Sequence, residues 1–191
     1  MSRVRGTAVI VLLAAGLVGP VAGQQPTQWS PWSSELVPAP RSEAAQIAEL
    51  MQAGKSEEAL KRADEFLVDK PRDLQVRFLR AVTLIDLGRR QDASDALLRL
   101  TQDFPELPEP YNNLAVLAAA QGGLDKAEHL LQQALAAQPN YITAQENLGD
   151  LYVALAAAAF ERASKLEPAN SVLKSKLALA RDLTSKLKTT R

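Results

Sequence analysis

Residues 111–139 read YNNLAVLAAAQGGLDKAEHLLQQALAAQP, and three of their positions recur along the chain at a constant spacing of 34. Each position keeps one residue type, which gives three columns: Gly54, Gly88 and Gly122; Ala59, Ala93 and Ala127; Pro71, Pro105 and Pro139. A fixed period in the range of roughly 20 to 50 marks a stacked repeat architecture, and a period of 34 is that of a helix–turn–helix unit. The period therefore predicts an all-α chain built from repeated helix pairs.

Each column has a physical reason. Glycine permits the turn that ends the first helix, and alanine, five residues later in the second helix, lets the two helices approach closely. Proline closes the unit because it cannot donate the helical hydrogen bond and moves the preceding residue out of the helical region. Composition agrees, since 47% hydrophobic and 5% aromatic residues suit helices packed through alanine and leucine.

The units resemble the tetratricopeptide repeat family, whose pattern runs through Leu-Gly, an aromatic residue, Ala, an aromatic residue and Pro. The third unit matches at Leu114, Ala115, Gly122, Ala127, Leu131, Ala134 and Pro139, with the small Ala118 where an aromatic residue is expected. The fourth unit matches at Leu148, Gly149, Tyr152, Phe160, Ala163 and Pro168. The first unit is the poorest, with Gln46 and Ile47 where Leu-Gly is expected. The resemblance covers about residues 41–170 and implies a right-handed superhelical solenoid of helix hairpins, with residues 171–191 forming a capping helix and a basic tail.

The resemblance also implies where a partner binds, because the first helix of each pair lines a concave groove in this family. The corresponding residues are Phe78, Val82, Asp86, Asn112, Asn113, Val116, Glu146, Asn147 and Asp150. Asn113 and Asn147 are separated by one full period, so their amides are expected to lie side by side and to pair with the backbone of an extended peptide. The alternative is that these asparagines only bond within the hairpin.

Charge narrows the class of partner. One variety of the family binds acidic C-terminal tails through Lys and Arg in the groove, whereas these faces carry Asp86, Glu109, Glu146 and Asp150. An acidic tail would be repelled, so the predicted partner is another protein or an extended peptide without such a tail.

The N-terminus has the three regions of a secretory signal peptide: Arg3 and Arg5, an apolar stretch over residues 8–18, and small residues through Gly23. About 11 apolar residues are too few to span a bilayer, which takes roughly 20. We expect cleavage near Gly23 and a periplasmic location without a stable membrane span; the alternative is an uncleaved anchor that faces the periplasm. Removing residues 1–23 leaves 20 basic side chains and 22 acidic ones. This balance lacks the excess of positive charge that nucleic-acid-binding proteins carry, so we expect no nucleic-acid partner.

Residues 24–40 read QQPTQWSPWSSELVPAP, a composition that predicts a tether. Both tryptophans of the chain, Trp29 and Trp32, lie in it. Either they are exposed rings in a disordered leader, or they dock onto the first helix pair or onto a partner.

Catalysis has little support in the sequence. His129 is the single histidine, and the chain has no cysteine to share a metal with it. Ser171-x-x-Lys174 matches a fragment of a serine-hydrolase motif, but Ser171 stands where a helix cap is expected. We therefore expect no enzyme activity, no metal and no cofactor.

The period breaks once, because Pro168 follows Pro139 at a spacing of 29 instead of 34. The missing five residues include the turn glycine, and an alanine-rich run, Leu155 to Phe160, stands in their place. Alanine is the best helix former, so one continuous helix is predicted from about Thr143 to Leu166. Leu151, Leu155, Phe160 and Leu166 would then lose the cover of a normal hairpin, and a swapped or side-by-side homodimer is one consequence.

Together these features predict a non-catalytic interaction module or scaffold of the cell envelope that holds a protein partner in the concave groove. The alternative is a periplasmic, chaperone-like holder of unfolded polypeptides, which the asparagines of the groove would favour.

Overall fold

The computed structural model describes residues 41–189, which form eight α-helices and no β-strand within that range. The signal segment, the tether and its two tryptophans lie outside the described residues. The helices are α1 (Glu43–Gln52), α2 (Ser56–Asp69), α3 (Leu74–Asp86), α4 (Arg90–Asp103), α5 (Pro108–Ala120), α6 (Leu124–Ala137), α7 (Ile142–Leu166) and α8 (Ser171–Thr189). The all-α prediction is confirmed.

The described residues fall into two compact units, 41–83 and 84–189, whose boundary lies within α3. In the first unit, Ile47 of α1, Ala59 and Ala63 of α2 and Val76 of α3 form a buried apolar cluster. In the second, α5 packs against α4, α6 and α7, and α7 packs against α6 and α8. In the second unit, helices that are adjacent in sequence therefore pack against each other.

The predicted turn glycines adopt the backbone conformation that the turn requires. Gly54, Gly88 and Gly122 have φ angles of 72°, 73° and 81°, and no other described residue has a positive φ. This left-handed conformation costs an L-residue with a side chain roughly 1–2 kcal/mol, which explains the choice of glycine. At the third turn Gly123 N–H donates to the carbonyl of Ala118 at 2.9 Å, which closes the end of α5.

The alanine column is buried, as expected for positions where packed helices approach closely. Ala59 and Ala93 are 0% exposed and Ala127 is 1% exposed. A larger side chain at these positions would force its neighbours apart, which costs about 1–3 kcal/mol in a well-packed core.

Helix α7 runs without interruption for 25 residues, which confirms the predicted fusion of the two helices of the fourth unit. Its length is about 37 Å at 1.5 Å per residue. The prediction that Leu151 loses its cover is wrong: Leu151 is buried, because it lies on the side of α7 that faces the neighbouring helices. Leu155 and Phe160 are half-buried, and Leu166 at the end of the helix is exposed.

Helix α8 is capped by Asn170 rather than by Ser171, the residue that the sequence predicts. The Oδ1 atom of Asn170 accepts hydrogen bonds from the N–H groups of Val172 and Leu173, both at 3.1 Å. Ser171 is already the first residue of the helix. Asparagine and serine are both favoured caps, so residue type alone does not decide between neighbouring positions.

Helix α8 packs antiparallel on the C-terminal half of α7. Lys176 Nζ lies 5.8 Å from the centre of the Phe160 ring, and Arg181 forms a 3.2 Å salt bridge with Glu161. The Arg181 hydrogen bond, followed by that of Lys165, lowers the pKa of the Glu161 carboxyl. On α8 the predicted inner face, Leu173, Leu177, Ala180 and Leu187, is half-buried.

None of the helices in the described range has the combination of length and apolar character needed to cross a bilayer.

Candidate partner-binding face

A buried asparagine pair joins α5 to α7. Asn147 Nδ2 donates to Asn112 Oδ1 at 2.7 Å, and the two residues are 8% and 1% exposed. The sequence predicted instead that Asn147 and Asn113 lie side by side toward a partner. Successive residues on an α-helix point in directions about 100° apart. Because Asn147 bonds to Asn112 and not to Asn113, the amide joins two neighbouring helix pairs instead of facing a partner.

Near this pair, the N-terminal part of α5 contains two buried polar atoms that have no hydrogen-bond partner among the described residues. They are Asn112 Nδ2, a donor, and Glu109 Oε2, an acceptor. The residues are three apart on α5 and therefore lie on the same side of the helix. Burial, followed by the charge of the Glu109 carboxylate, raises the pKa of Tyr141 to about 12. The negative charge of Glu109 therefore lies close to the start of α7.

Five of the nine predicted groove residues are buried: Asn112 and Asn147 of the pair described above, and three others. Phe78 and Val82 of α3 are 2% and 0% exposed, and Asn113 of α5 is 4% exposed. Phe78 and Val82, which were expected to line the groove, are part of the hydrophobic core. Their side chains offer no surface to a partner, which narrows the candidate face to the remaining positions.

The accessible part of the predicted set is mostly acidic. Asp86 and Glu146 are exposed, while Val116 and Asp150 are half-buried. Partial burial raises the pKa of the Asp86 carboxyl. We call Val116 on α5 together with Glu146 and Asp150 on α7 the acidic face. The Asn147–Asn112 bond fixes the two helices that carry it, so these side chains stand on a rigid support.

The residues with catalytic potential are not assembled into a site. His129 is exposed on α6, and Ser171 is exposed at the start of α8, where its carbonyl accepts a hydrogen bond from the hydroxyl of Ser175. Within residues 41–189, no three His, Asp or Glu side chains lie close enough together to hold a metal ion.

One polar contact on α7 was not anticipated. Tyr152 donates its hydroxyl to Glu128 Oε1 on α6 at 3.1 Å, and this bond, followed by burial, raises the pKa of Tyr152. The aromatic position of the fourth unit was recognised, but nothing in the repeat pattern indicates a carboxylate partner on the preceding helix.

Comparison with solved structures identifies the architecture. The first TPR domain of human RPAP3 matches with a TM-score of 0.56 at 18% identity, over 60% of this chain and 91% of that domain. These helix pairs have the tetratricopeptide-repeat fold. The thermophilic TPR protein TTC0263 of Thermus thermophilus matches with a TM-score of 0.55 at 23% identity, over 72% of this chain and 79% of that one.

One of the similar repeat domains has been solved with a ligand. The first TPR of Spaghetti (RPAP3), bound to the HSP90 peptide SRMEEVD, matches with a TM-score of 0.55 at 18% identity, over 60% of this chain and 90% of that chain. At this identity the likeness concerns the fold alone.

A sequence relative carries the same repeat name. The chloroplastic tetratricopeptide repeat domain-containing protein PYG7 of Arabidopsis thaliana is 35% identical over 82 residues, which are 40% of this chain. The chain spans about a quarter of that relative, 27% of its length. No protein-family model matches the chain.

Proposed function

We propose that this tetratricopeptide-repeat protein is a non-catalytic interaction module that holds a segment of a protein partner against the acidic face. The observation that carries the proposal is the set of accessible side chains on α5 and α7, supported by the buried bond between Asn147 and Asn112. The Spaghetti repeat domain, which has the same fold, holds a peptide.

The charge of the face selects the partner's chemistry. The peptide held by the Spaghetti domain, SRMEEVD, has three acidic side chains, whereas this face presents Glu146 and Asp150. Like charges brought together at an interface cost several kcal/mol, so an acidic segment is disfavoured. A neutral or basic segment fits the charge of this face.

Charge reversal on the acidic face tests this proposal. In the double variant Glu146→Lys/Asp150→Lys, a basic peptide is expected to bind about tenfold more weakly, because two surface ion pairs of roughly 0.5–1 kcal/mol each become repulsive. Affinity is measured by fluorescence polarisation with matched basic, neutral and acidic peptides. The control is Asp95→Lys, which makes the same change at an exposed position of α4.

Unchanged affinity for the basic peptide in the double variant would place the partner elsewhere. The peptide panel also separates the two functions that the sequence left open. A scaffold discriminates between peptides by charge and sequence, whereas a chaperone-like holder binds unrelated unfolded segments with similar affinity.

We further propose that the protein acts outside the cytoplasm, in the cell envelope, on the basis of the charged start, the short apolar run and the small residues before Gly23. Mass spectrometry of the protein from its native host is expected to show the loss of about 23 residues and a new N-terminus near Gln24. An intact N-terminus in the membrane fraction would support the anchored alternative. An intact Met1 in the cytosol would contradict export altogether.

A further inference from the structure

The continuous helix α7 has lost the cover that equivalent positions have in the other repeats. Ile47, Ala81 and Ala115, which occupy the same position in successive repeats, are 0%, 0% and 1% exposed. The next member of this column is Gly149 on α7, which is exposed, and a methyl group added there would meet no atom within 4 Å. One side of α7 is therefore open where the equivalent side of the earlier first helices is closed.

The third helix pair shows which element is missing. Ala115 lies six residues before Gln121, and Ala127 lies five residues after Gly122. The two alanines are therefore opposite each other on α5 and α6, the two helices that this turn joins. Both are 1% exposed, as expected for helices in close contact. The cover that Gly149 lacks is thus the second helix of its own pair, which the five-residue deletion prevents from folding back.

The sequence of that second helix is nevertheless present in the C-terminal half of α7. Allowing for the deletion, Ala127, Leu131 and Ala134 of α6 correspond to Ala156, Phe160 and Ala163. The three residues of α6 are at most 2% exposed, whereas their three counterparts on α7 are only half-buried. Helix α7 therefore carries both the contact residue of a first helix, Gly149, and the contact residues of a second helix, and neighbouring helices cover both only incompletely.

These residues form a single stripe. Gly149, Tyr152, Ala156, Phe160 and Ala163 follow one another at spacings of three or four residues, which places them on one face of α7. We call this set the α7 stripe. In a regular repeat, the N-terminal part of the stripe would pack against the second helix of its pair, and the C-terminal part would pack against the first helix. When two stripes lie antiparallel, each part of one stripe meets the part of the other stripe that it would contact in a regular pair.

We propose that the α7 stripe of one copy packs antiparallel on the α7 stripe of a second copy, with Gly149 of each opposite Ala156 of the other. The contact rebuilds between two chains the hairpin that the deletion removes within one chain. It is isologous, with a twofold axis near Tyr152 and Val153, and it therefore closes as a dimer.

The surroundings of the stripe fit a second copy. An open groove of about 270 Å³ lies between α7 and α8, lined by Val153, Ala156 and Phe160, with Leu179 and Leu183 of α8 also contributing. Leu179 is 70% exposed and Leu183 is 45% exposed, and a helix placed on the stripe would cover both. Burial of apolar side chains contributes roughly 25 cal/mol per Å² removed from water, so this cover favours association.

Charge also favours the same chain as the occupant. Residues 84–170 carry 12 acidic and six basic side chains, whereas α8 carries five basic and one acidic. In the proposed dimer α8 of each copy lies beside α7 of the other, which brings the basic helix near Glu146 and Asp150 of the second copy. Opposite potentials at an interface increase the rate of association and fix its register.

Cysteine cross-linking tests the register directly, because the chain contains no cysteine. The full-length double variant Gly149→Cys/Ala156→Cys is expected to form a covalent dimer on mild oxidation. Within one helix the two positions are about 10 Å apart along the axis, beyond the roughly 7 Å that a disulfide can bridge, so any disulfide joins two chains. Each single cysteine variant is a control. In the antiparallel register, position 149 of one chain is distant from position 149 of the other chain, and the same holds for position 156, so neither single variant should cross-link.

Light scattering coupled to size exclusion measures the dimer itself. Gly149→Gln should raise the dissociation constant about tenfold or more, because the long side chain enters the contact. Gly149→Ala should leave it unchanged, because Ala81 and Ala115 occupy the same position in other repeats. Ala136→Gln, at an exposed position of α6, controls for the added side chain.

A second variant keeps the proposal falsifiable if these changes perturb α7. A copy of the third turn, GGLDK from residues 122–126, inserted after Leu155 restores the regular repeat spacing of the turn glycine and should give a monomer with a normal fourth hairpin. A wild-type chain that is monomeric at all concentrations, or a double cysteine variant that yields no covalent dimer, would overturn the proposal. Either result would mean that another segment or a different protein covers the stripe. Glu146 and Asp150 enter both proposals, so the readout that belongs to the dimer alone is the cross-linking of Gly149→Cys/Ala156→Cys, which leaves both carboxylates unchanged.

Discussion

Replacing Leu97 with alanine is expected to lower the free energy of unfolding by about 2–5 kcal/mol. Leu97 of α4 is 0% exposed and corresponds to Leu131 of α6 in the next repeat. Truncation removes apolar contacts and leaves a cavity that a closely packed pair of helices can only partly fill. The measurement is urea unfolding followed by circular dichroism.

The neighbouring residue provides a matched control. Leu98 lies on the same helix but is 50% exposed, so Leu98→Ala should change the free energy of unfolding by no more than about 0.5 kcal/mol. Similar losses in the two variants would show that α4 does not present the Leu97 side to the core, and the repeat phase used throughout would be wrong.

Replacing Asn147 with alanine is expected to destabilise the fold by about 1–3 kcal/mol, because it leaves Asn112 Oδ1 buried without its donor. Glu146→Ala, one residue earlier and exposed, should have little effect. If the bond is responsible, the double variant Asn112→Leu/Asn147→Leu should recover part of the loss, since two apolar side chains leave no polar atom unpaired. An Asn147→Ala variant as stable as the wild type would mean that the pair does not tie α5 to α7.

This result also changes how the asparagines can be used to study binding. The sequence alone assigned Asn113 and Asn147 to contact with a partner. Since Asn147 forms a buried bond between helices and Asn113 is 4% exposed, a loss of binding in those variants would mix instability with lost contacts. Glu146 and Asp150 are better probes because they are accessible.

The features that the sequence predicted correctly depend on backbone chemistry. Gly122 marks a turn because few residues tolerate a φ of 81°, and α7 is continuous because no glycine or proline interrupts residues 150–166. Such constraints act locally, so a residue type at a fixed spacing is enough to reveal them.

The features that the sequence did not predict depend on the exact rotation of one helix against its neighbour. Asn112 and Asn113 are equally plausible partners for Asn147 until the rotation of α5 is known. Phe78 and Val82 fit the floor of a groove as well as they fit a core, and only the packing shows that they are buried. The choice between Asn170 and Ser171 as the cap of α8 likewise depends on a single residue of register.

The length of α7 has a consequence for the order in which the chain acquires structure. Isolated helices shorter than about 12–15 residues are marginal in water, and α1 to α6 have 10–14 residues each, so they depend on their neighbours to persist. Helix α7, with 25 residues and an alanine-rich centre, exceeds that limit, as does α8 with 19. Loss of the turn has thus joined two helices that would depend on packing into one whose length favours helix formation, and we expect α7 to become helical before α6 and α5 pack on it.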